Sequence, residues 1–285
     1  MRRRHAFEIT DRAWCPALLR DTATDILRFT SVKTNMYAPI LPRLKSVLES
    51  LDCHEIVDLG SGGTGPVLLI QEQLGSLENY PVQVTLTDKF PNIEAFKAAS
   101  AHGGGLVRYI ADPIDAAEMP EGLRGFRTMF ASFHHFRPEE AKAVLRDAAR
   151  IREGIGIFEF TGRNPGIFLI MLLSPLYLLL VMPFIKPFSL RKMLFTYVIP
   201  LIPLTAMWEG IASNLRTYDP EELMELIEDI ESDDYTWETG RVRGTWDIGR
   251  IHGIGLHKIT YLFGYPREDV RDTSRGSGFT RDGAF

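Results

Sequence analysis

The stretch EIVDLGSGGTGP, residues 55–66, decides the fold class. Its first five residues are short, apolar and stopped by glycine, as in a strand buried on both faces of a parallel sheet. Gly60, Gly62 and Gly65 fit G-x-G-x-x-G at a strand-to-helix turn. Glycines there let the backbone come close to a ligand beside a helix N-terminus. Taken alone, the pattern also describes an ordinary tight turn, so its neighbours must be read with it.

Working outward, a helix pattern over residues 66–74 leads to VQVTLTD (82–88), a second strand. A helix over 93–101 precedes VRYIAD (107–112), the third. FRTMFASF (126–133), a helix over 139–150 and GIGIFEF (154–160) follow. Strands and helices alternating at these lengths imply a parallel sheet with helices on both faces. The end of the chain differs: a helix over 220–230, then YTWETGRV (235–242) and KITYLFGYP (258–266) with no helix between them. Such strands pair antiparallel with each other or at an edge. Upstream, apolar residues between 19 and 51 recur at helical spacing with a break near Tyr37 and Pro39, which predicts two or three helices. The expected fold is α/β: a doubly wound, mostly parallel seven-stranded sheet with an antiparallel last strand, N-terminal helices and a hydrophobic helical insertion.

Acids stand at successive strand ends. Asp88 lies 23 residues beyond Gly65, where a carboxylate accepts both hydroxyls of a ribose. Asp112 closes the third predicted strand, where it can accept a hydrogen bond from an adenine amino group. Asp58, two residues before the first glycine, would repel the phosphates of a dinucleotide. It suits instead a ligand with a cationic amino-acid end and no phosphate, which argues against an NAD-linked oxidoreductase.

On these residues the chain resembles the class I S-adenosylmethionine-dependent methyltransferases. The first motif of that family matches IVDLGSG, its second-strand acid matches Asp88, and its third-strand acid matches Asp112. The closing YLFGYP and an antiparallel last strand match its sheet as well. The resemblance covers residues 55–160 and 218–266. It implies S-adenosyl-L-methionine as cofactor, with Gly60, Ser61, Gly62 and the neighbouring backbone on the methionine portion and Asp58 near the amino group. It further implies Asp88, with its neighbour Lys89, at the ribose, Asp112 at the adenine, and Pro113 and Ile114 packed on the ring. Thr64 departs from the family, many of whose members carry a third glycine there.

The resemblance places the segment after the fourth strand, ASFHHF (131–136), opposite the transferable methyl. His134 or His135 is positioned to act as a general base, since imidazole titrates near neutral pH. The alternative is that one histidine ties down a loop while the other packs under the cofactor. In the N-terminal segment, Trp14 and Arg20 are candidate acceptor contacts on helices that the family often uses as a lid. Trp208, Glu209, Asn214 and Arg216 are candidates on the segment that returns the chain to the sheet edge. No metal is expected at the site.

Between residues 160 and 214 the chain departs from the core fold. No residue is charged from 165 to 185, nor from 193 to 208. About 20 apolar residues suffice for a spanning helix. However, Pro165, Pro175, Pro183, Pro187, Pro200 and Pro203 interrupt the region, and both ends join the same sheet. Lys186, Arg191 and Lys192 at the turn oppose translocation. The geometry that remains is a kinked helical hairpin in or along one leaflet, its cations meeting anionic headgroups. The chain thus divides into residues 1–54 (helical lid), 55–161 (cofactor half), 162–213 (apolar insertion), 214–266 (closing helix and strands) and 267–285 (polar tail).

Composition bounds the function. Apolar residues make up 45% and charged residues 24%, as in a globular protein. A net charge of −5 and the lack of an N-P-P-Y-like tetrapeptide after the fourth strand disfavour nucleic acid. Cys15 and Cys53, with no C-x-x-C, predict neither a disulfide framework nor a zinc site. The basic N-terminus lacks the apolar run of a secretory signal. These readings lead to a cytoplasmic methyltransferase, peripheral or monotopic on the inner face of a membrane, acting on a hydrophobic small molecule or lipid, most simply at oxygen, with nitrogen and carbon open. Two rival expectations are a soluble homodimer whose insertion is the interface, and a cofactor-binding membrane scaffold without catalysis.

Overall fold

The computed structural model describes residues 1–230, 234–248 and 251–267. The polar tail from 268 onward lies outside these residues. Among the described residues the strands are β1 (Glu55–Leu59), β2 (Gln83–Thr87), β3 (Val107–Tyr109), β4 (Phe126–Phe130), β5 (Ile155–Glu159), β6 (Tyr235–Ile248) and β7 (Ile251–Pro266). They form one sheet in the order β3-β2-β1-β4-β5-β7-β6. Strands β1 to β5 run parallel; β7 pairs antiparallel with β5 on one side and with β6 on the other. This is the sheet that the resemblance implies.

Period-two alternation divides the core between the two faces of the sheet. On β1, Ile56 packs with Leu44, Leu48, Ile70, Phe96 and Phe158 on one face. Val57 and Leu59 pack with Leu145, Ile157, Leu223 and Leu262 on the other. Asp58, between them, therefore points to the face of Ile56. The helices covering the sheet are α1 (Ala17–Thr34), α2 (Leu41–Ser50), α3 (Gly65–Ser76), α4 (Ile93–His102) and α5 (Pro138–Arg150). The predicted break falls at a short 3-10 turn, Ala38–Ile40.

Three boundaries differ from the sequence expectation. First, β3 stops at Tyr109, so Asp112 lies beyond the strand in a loop where Pro113 cannot donate to a ladder. Second, β4 stops at Phe130 because Ala131 takes a left-handed φ of 49° and turns the chain into a separate helical turn, Phe133–His135. Third, one helix, Leu201–Arg216, runs across positions 213 and 214.

The insertion consists of α6 (Pro165–Val181), a turn through α7 (Leu190–Met193) and the π-helical Leu194–Val198, and α8 (Leu201–Arg216), followed by α9 (Pro220–Ile227). Asn164 caps α6 by accepting from the Ile167 N–H at 3.0 Å. Gly210 permits α6 and α8 to approach, since a Cβ there would lie 2.4 Å from Met171 Sδ. The turn packs on α1 through Leu19, Met182, Ile185 and Ile202. It is also tied to α1 by charge. Lys192 is buried, not available to headgroups as the sequence suggested: Nζ donates to Asp25 Oδ2 at 2.7 Å and to Pro187 O at 3.0 Å. Lys186 and Arg191 stay exposed.

Removing one partner of a buried pair leaves the other charge with less compensation. Lys192→Met leaves Asp25 with Arg28 at 3.5 Å as its remaining ion-pair partner, and should destabilise the fold by about 3 kcal/mol. Thermal denaturation should show Lys192→Met/Asp25→Leu recovering most of that loss. An unchanged melting temperature for the single variant would mean the pair does not anchor the turn.

Candidate active site

The glycine turn is held from below by β2. The N–H groups of Gly60 and Ser61 donate to Thr87 O at 3.0 and 2.9 Å. Gly60 and Gly62 take φ of 75° and 48°, which glycine adopts without steric cost. Thr64, the position that departs from the family, takes φ of 70° and is buried. This non-glycine residue is therefore held in the left-handed region by its surroundings. The glycines do not all serve a ligand. A Cβ on Gly62 would lie 3.0 Å from Thr24 Cγ2, and one on Gly65 only 2.7 Å from Arg28 Cα. Much of the motif lets α1 lie across the turn.

Beneath α1 and the N-terminal segment is a cavity of about 620 Å³. Of the predicted cofactor residues, Gly60, Ser61, Gly62, Asp88, Lys89 and Ile114 line it. Asp88 ties its parts together: Oδ2 accepts from the Gly62 N–H and Oδ1 from the Phe90 N–H, both at 2.8 Å. A carboxylate has about four acceptor positions, so two remain for hydroxyls. Asp58, Asp112 and Pro113 fall outside the lining. Asp58 is buried under the turn with Oδ1 accepting from Thr128 Oγ1 at 2.6 Å. Burial pushes its pKa up to about 7 against the hydrogen bonds from Thr128 and Ser61. Asp112 and Pro113 are exposed. Acids that do line this end are Asp115 and Glu118, which sequence reasoning passed over; Asp115 pairs with Lys89 at 2.6 Å.

At the other end, the two predicted histidines have different environments. His135 lines the cavity, with Nδ1 2.7 Å from Asp11 Oδ1 and 2.9 Å from Glu8 Oε2. Burial favours its neutral form, but Glu8 and Asp11 outweigh it and raise the pKa well above the ordinary imidazole value. A ring that holds its proton so firmly is a poor general base. His134 is buried outside the lining, with Nδ1 2.9 Å from Glu159 Oε2. Burial would raise the pKa of Glu8 and of Asp11, yet His135 and Arg216 hold both below the ordinary carboxylate range. Glu8, Asp11 and Glu159 were missed at the sequence level. The available signal was Glu159 itself, an acid inside the otherwise apolar run GIGIFEF.

Of the acceptor candidates, Arg20 and Arg216 line the cavity. Arg20 stacks on the Phe90 ring at 4.2 Å and donates to Thr10 O and Arg12 O. Arg216 is buried, donating to Ala6 O and Asp11 Oδ2, both at 2.6 Å. The other four lie outside the lining and hold structure. Trp14 is exposed and stacks on Phe7. Trp208 Nε1 donates to Phe7 O at 2.9 Å, and Glu209 accepts from Ile9 N–H and Thr10 Oγ1. Asn214 accepts from Gly162 N–H and donates to Gly210 O. Their partners belong mainly to the N-terminal segment, which explains why polar residues recur on α8.

No family model and no curated protein matches the chain. Among solved structures it is similar to an O-methyltransferase family protein from Burkholderia thailandensis, at 16% identity and a TM-score of 0.46, covering 87% of this chain and 59% of that one. It is similar to human N-acetylserotonin methyltransferase in complex with SAM, at 14% identity and a TM-score of 0.46, covering 87% and 56%. It is also similar to a structure described as putative Zn-dependent alcohol dehydrogenases from Rhodobacter sphaeroides, at 15% identity and a TM-score of 0.46, covering 86% and 98%. The chain thus spans less than two thirds of the length of either methyltransferase. At such identities and scores the chemistry rests on the residues themselves.

Asp58 supplies a pH test of the turn. Its folded pKa of about 7 stands above the ordinary 3.8, so its contribution to stability is fully present below pH ~4 and is lost as pH rises through ~7. Asp58→Asn removes that dependence. The melting temperature of the variant minus that of the wild type should climb between these limits and level off above them, reaching the equivalent of a few kcal/mol. A flat difference across the range would show Asp58 to be ordinarily ionised.

Proposed function

We propose that the chain is an S-adenosylmethionine-dependent methyltransferase acting at oxygen on a hydrophobic small molecule or lipid, with its apolar arms seated in the cytoplasmic leaflet of a membrane. The observation that carries the enzyme class is Asp88, which closes β2, accepts the Gly62 N–H of the glycine turn and faces the cavity. The cofactor, when bound, supplies an electrophilic sulfonium methyl group. The residues fit it: a side-chain-free edge at Gly60, two acceptor positions left on Asp88, and Ile114 beside them.

The protein's own part is binding and alignment. Asp88 takes the ribose hydroxyls, and Ile114 and Asp115 bound the adenine end. Asp58, turned toward Thr128, stiffens the turn from below and does not meet the amino group directly. Arg20 clamps residues 10–12 over the cavity by donating to their carbonyls, which keeps water from the reacting atoms. His135, held between Glu8 and Asp11, closes the acceptor end.

The lipophilic acceptor rests on the insertion. Residues Pro165–Phe184 have a mean hydropathy of 2.4, yet only 17% of their most apolar window is buried. Leu180 is 74% exposed and Leu190 78%. A face of this kind seeks a lipid or protein partner. Lys186 and Arg191 are exposed beside Phe188 and Leu190, a combination suited to an anionic interface. The return helix α8 ends at Arg216 in the cavity wall, so the arms are joined directly to the acceptor end.

Incubating the protein with radiolabelled S-adenosylmethionine and a total cell extract should place label in the organic phase, and Asp88→Ala should abolish it. Label confined to the aqueous phase would overturn the lipophilic acceptor. Absence of label with cofactor binding intact would favour the scaffold. In flotation with vesicles containing anionic lipid, Leu176→Asp/Leu180→Asp should reduce bound protein roughly tenfold or more without altering cofactor affinity. A detergent-free dimer that does not float would assign the arms to an interface between copies.

A further inference from the structure

The short turn Phe133–His135 orients His134 before any ligand arrives. Glu159 holds it twice, Oε1 accepting the His134 backbone N–H at 3.1 Å and Oε2 lying 2.9 Å from Nδ1. A carboxylate only accepts, so Nδ1 carries a proton toward Glu159 and Nε2 is the nitrogen left without a partner. That atom is buried, on a side chain 3% exposed, and has no hydrogen-bond partner. It faces Glu8 Oε1 across 3.9 Å. The gap is too long for a hydrogen bond, and the contact that Glu8 Oε1 does make is with Ser213 Oγ at 3.1 Å.

The third group completes a ligand set. His135 Nδ1 lies 2.9 Å from Glu8 Oε2, and one donor atom from each of Glu8, His134 and His135 falls within 4.8 Å of the others. Zinc binds imidazole nitrogen and carboxylate oxygen at about 2.0–2.2 Å, so one ion between His134 Nε2 and Glu8 Oε1 can reach both. The Glu159–His134 contact is the outer-sphere carboxylate that metal-binding imidazoles commonly have. Three carboxylates (Glu8, Asp11, Glu159) contact the two imidazoles, and one guanidinium, Arg216, offsets them through Glu8 Oε2 at 3.2 Å and Asp11 Oδ2 at 2.6 Å.

We propose that Glu8, His134 and His135 bind one divalent ion of the zinc class, the proton of His135 being released to solvent as the ion binds. Two imidazoles and one carboxylate select zinc, cobalt or iron(II) over calcium and magnesium, which prefer oxygen ligands. The low cysteine count, from which no zinc site was expected, bears only on thiolate sites. The set stands at the edge of the cavity that His135 and Asp11 line. With three protein ligands, a fourth position remains for an oxygen atom of a molecule in that cavity, and the ion would acidify a hydroxyl held there. This last role rests on the methyltransferase reading; the binding of the ion does not.

The test titrates chelator-treated full-length protein with Zn2+ by calorimetry and with Co2+ by visible absorption. One equivalent should bind saturably, with the absorption of low-coordinate Co2+. Glu8→Gln and His134→Gln should each weaken binding by at least tenfold, and Glu159→Gln by about 10–100-fold. His54→Gln and the pair Cys15→Ser/Cys53→Ser should leave it unchanged, with circular dichroism confirming that each variant is folded. Asp88→Ala should lose S-adenosylmethionine binding and keep the metal, which separates this proposal from the cofactor reading. No saturable binding by folded wild-type protein would overturn it. So would binding indifferent to both Glu8→Gln and His134→Gln, since the ion would then lie elsewhere.

Discussion

Arg216 is the joint on which the upper half of the molecule depends. Its guanidinium is almost wholly buried, and such a group needs its donors satisfied. Ala6 O, Glu8 and Asp11 satisfy them, so the N-terminal segment must lie across the strand ends rather than trail into solvent. The same two carboxylates then fix His135, which follows the end of β4. Because Arg216 also ends α8, one buried cation links the insertion, the N-terminal segment and the edge of the sheet. The shape of the cavity follows from that link.

A second constraint works from the opposite side of α1. The inner face of this helix supplies Arg20, Asp21, Thr24 and Leu27 to the cavity, and Gly62 and Gly65 let it approach the turn. Its outer side carries the insertion through a small apolar cluster and the Asp25–Lys192 pair. The helix over the cavity and the apolar arms are therefore one packed unit. Any surface that the arms join is joined mechanically to the roof of the site, and neither can shift far without breaking a buried ion pair.

The readings of individual residues divide along a physical line. Asp88 and the glycine turn were legible because strand ends and backbone turns are local, and a carboxylate one strand from a glycine motif has little freedom in where it points. Asp115 was not, because β3 is only three residues long and the acid after it is placed by a loop, not by a pleat. Glu209 and Asn214 looked like acceptor contacts because they are polar on an apolar helix. Each has a partner far away in sequence: Glu209 accepts from Ile9 N–H, 200 residues distant, and Asn214 from Gly162 N–H, 52 residues distant. No local pattern reports such a contact.

The sequence by itself determined the sheet, its parallel core and antiparallel edge, the glycine turn, and the presence of two long uncharged helical runs. These follow from alternation, helical periodicity, glycine and proline, which act over a few residues. Only the tertiary structure decided that Asp58 is sealed under the turn and that His135 sits between two carboxylates. It alone set the unpartnered nitrogen of His134 against Glu8 and buried Lys192. Each of these depends on the electrostatics and solvent exclusion of groups brought together from distant parts of the chain, and burial of that kind exists only once the chain has closed around them.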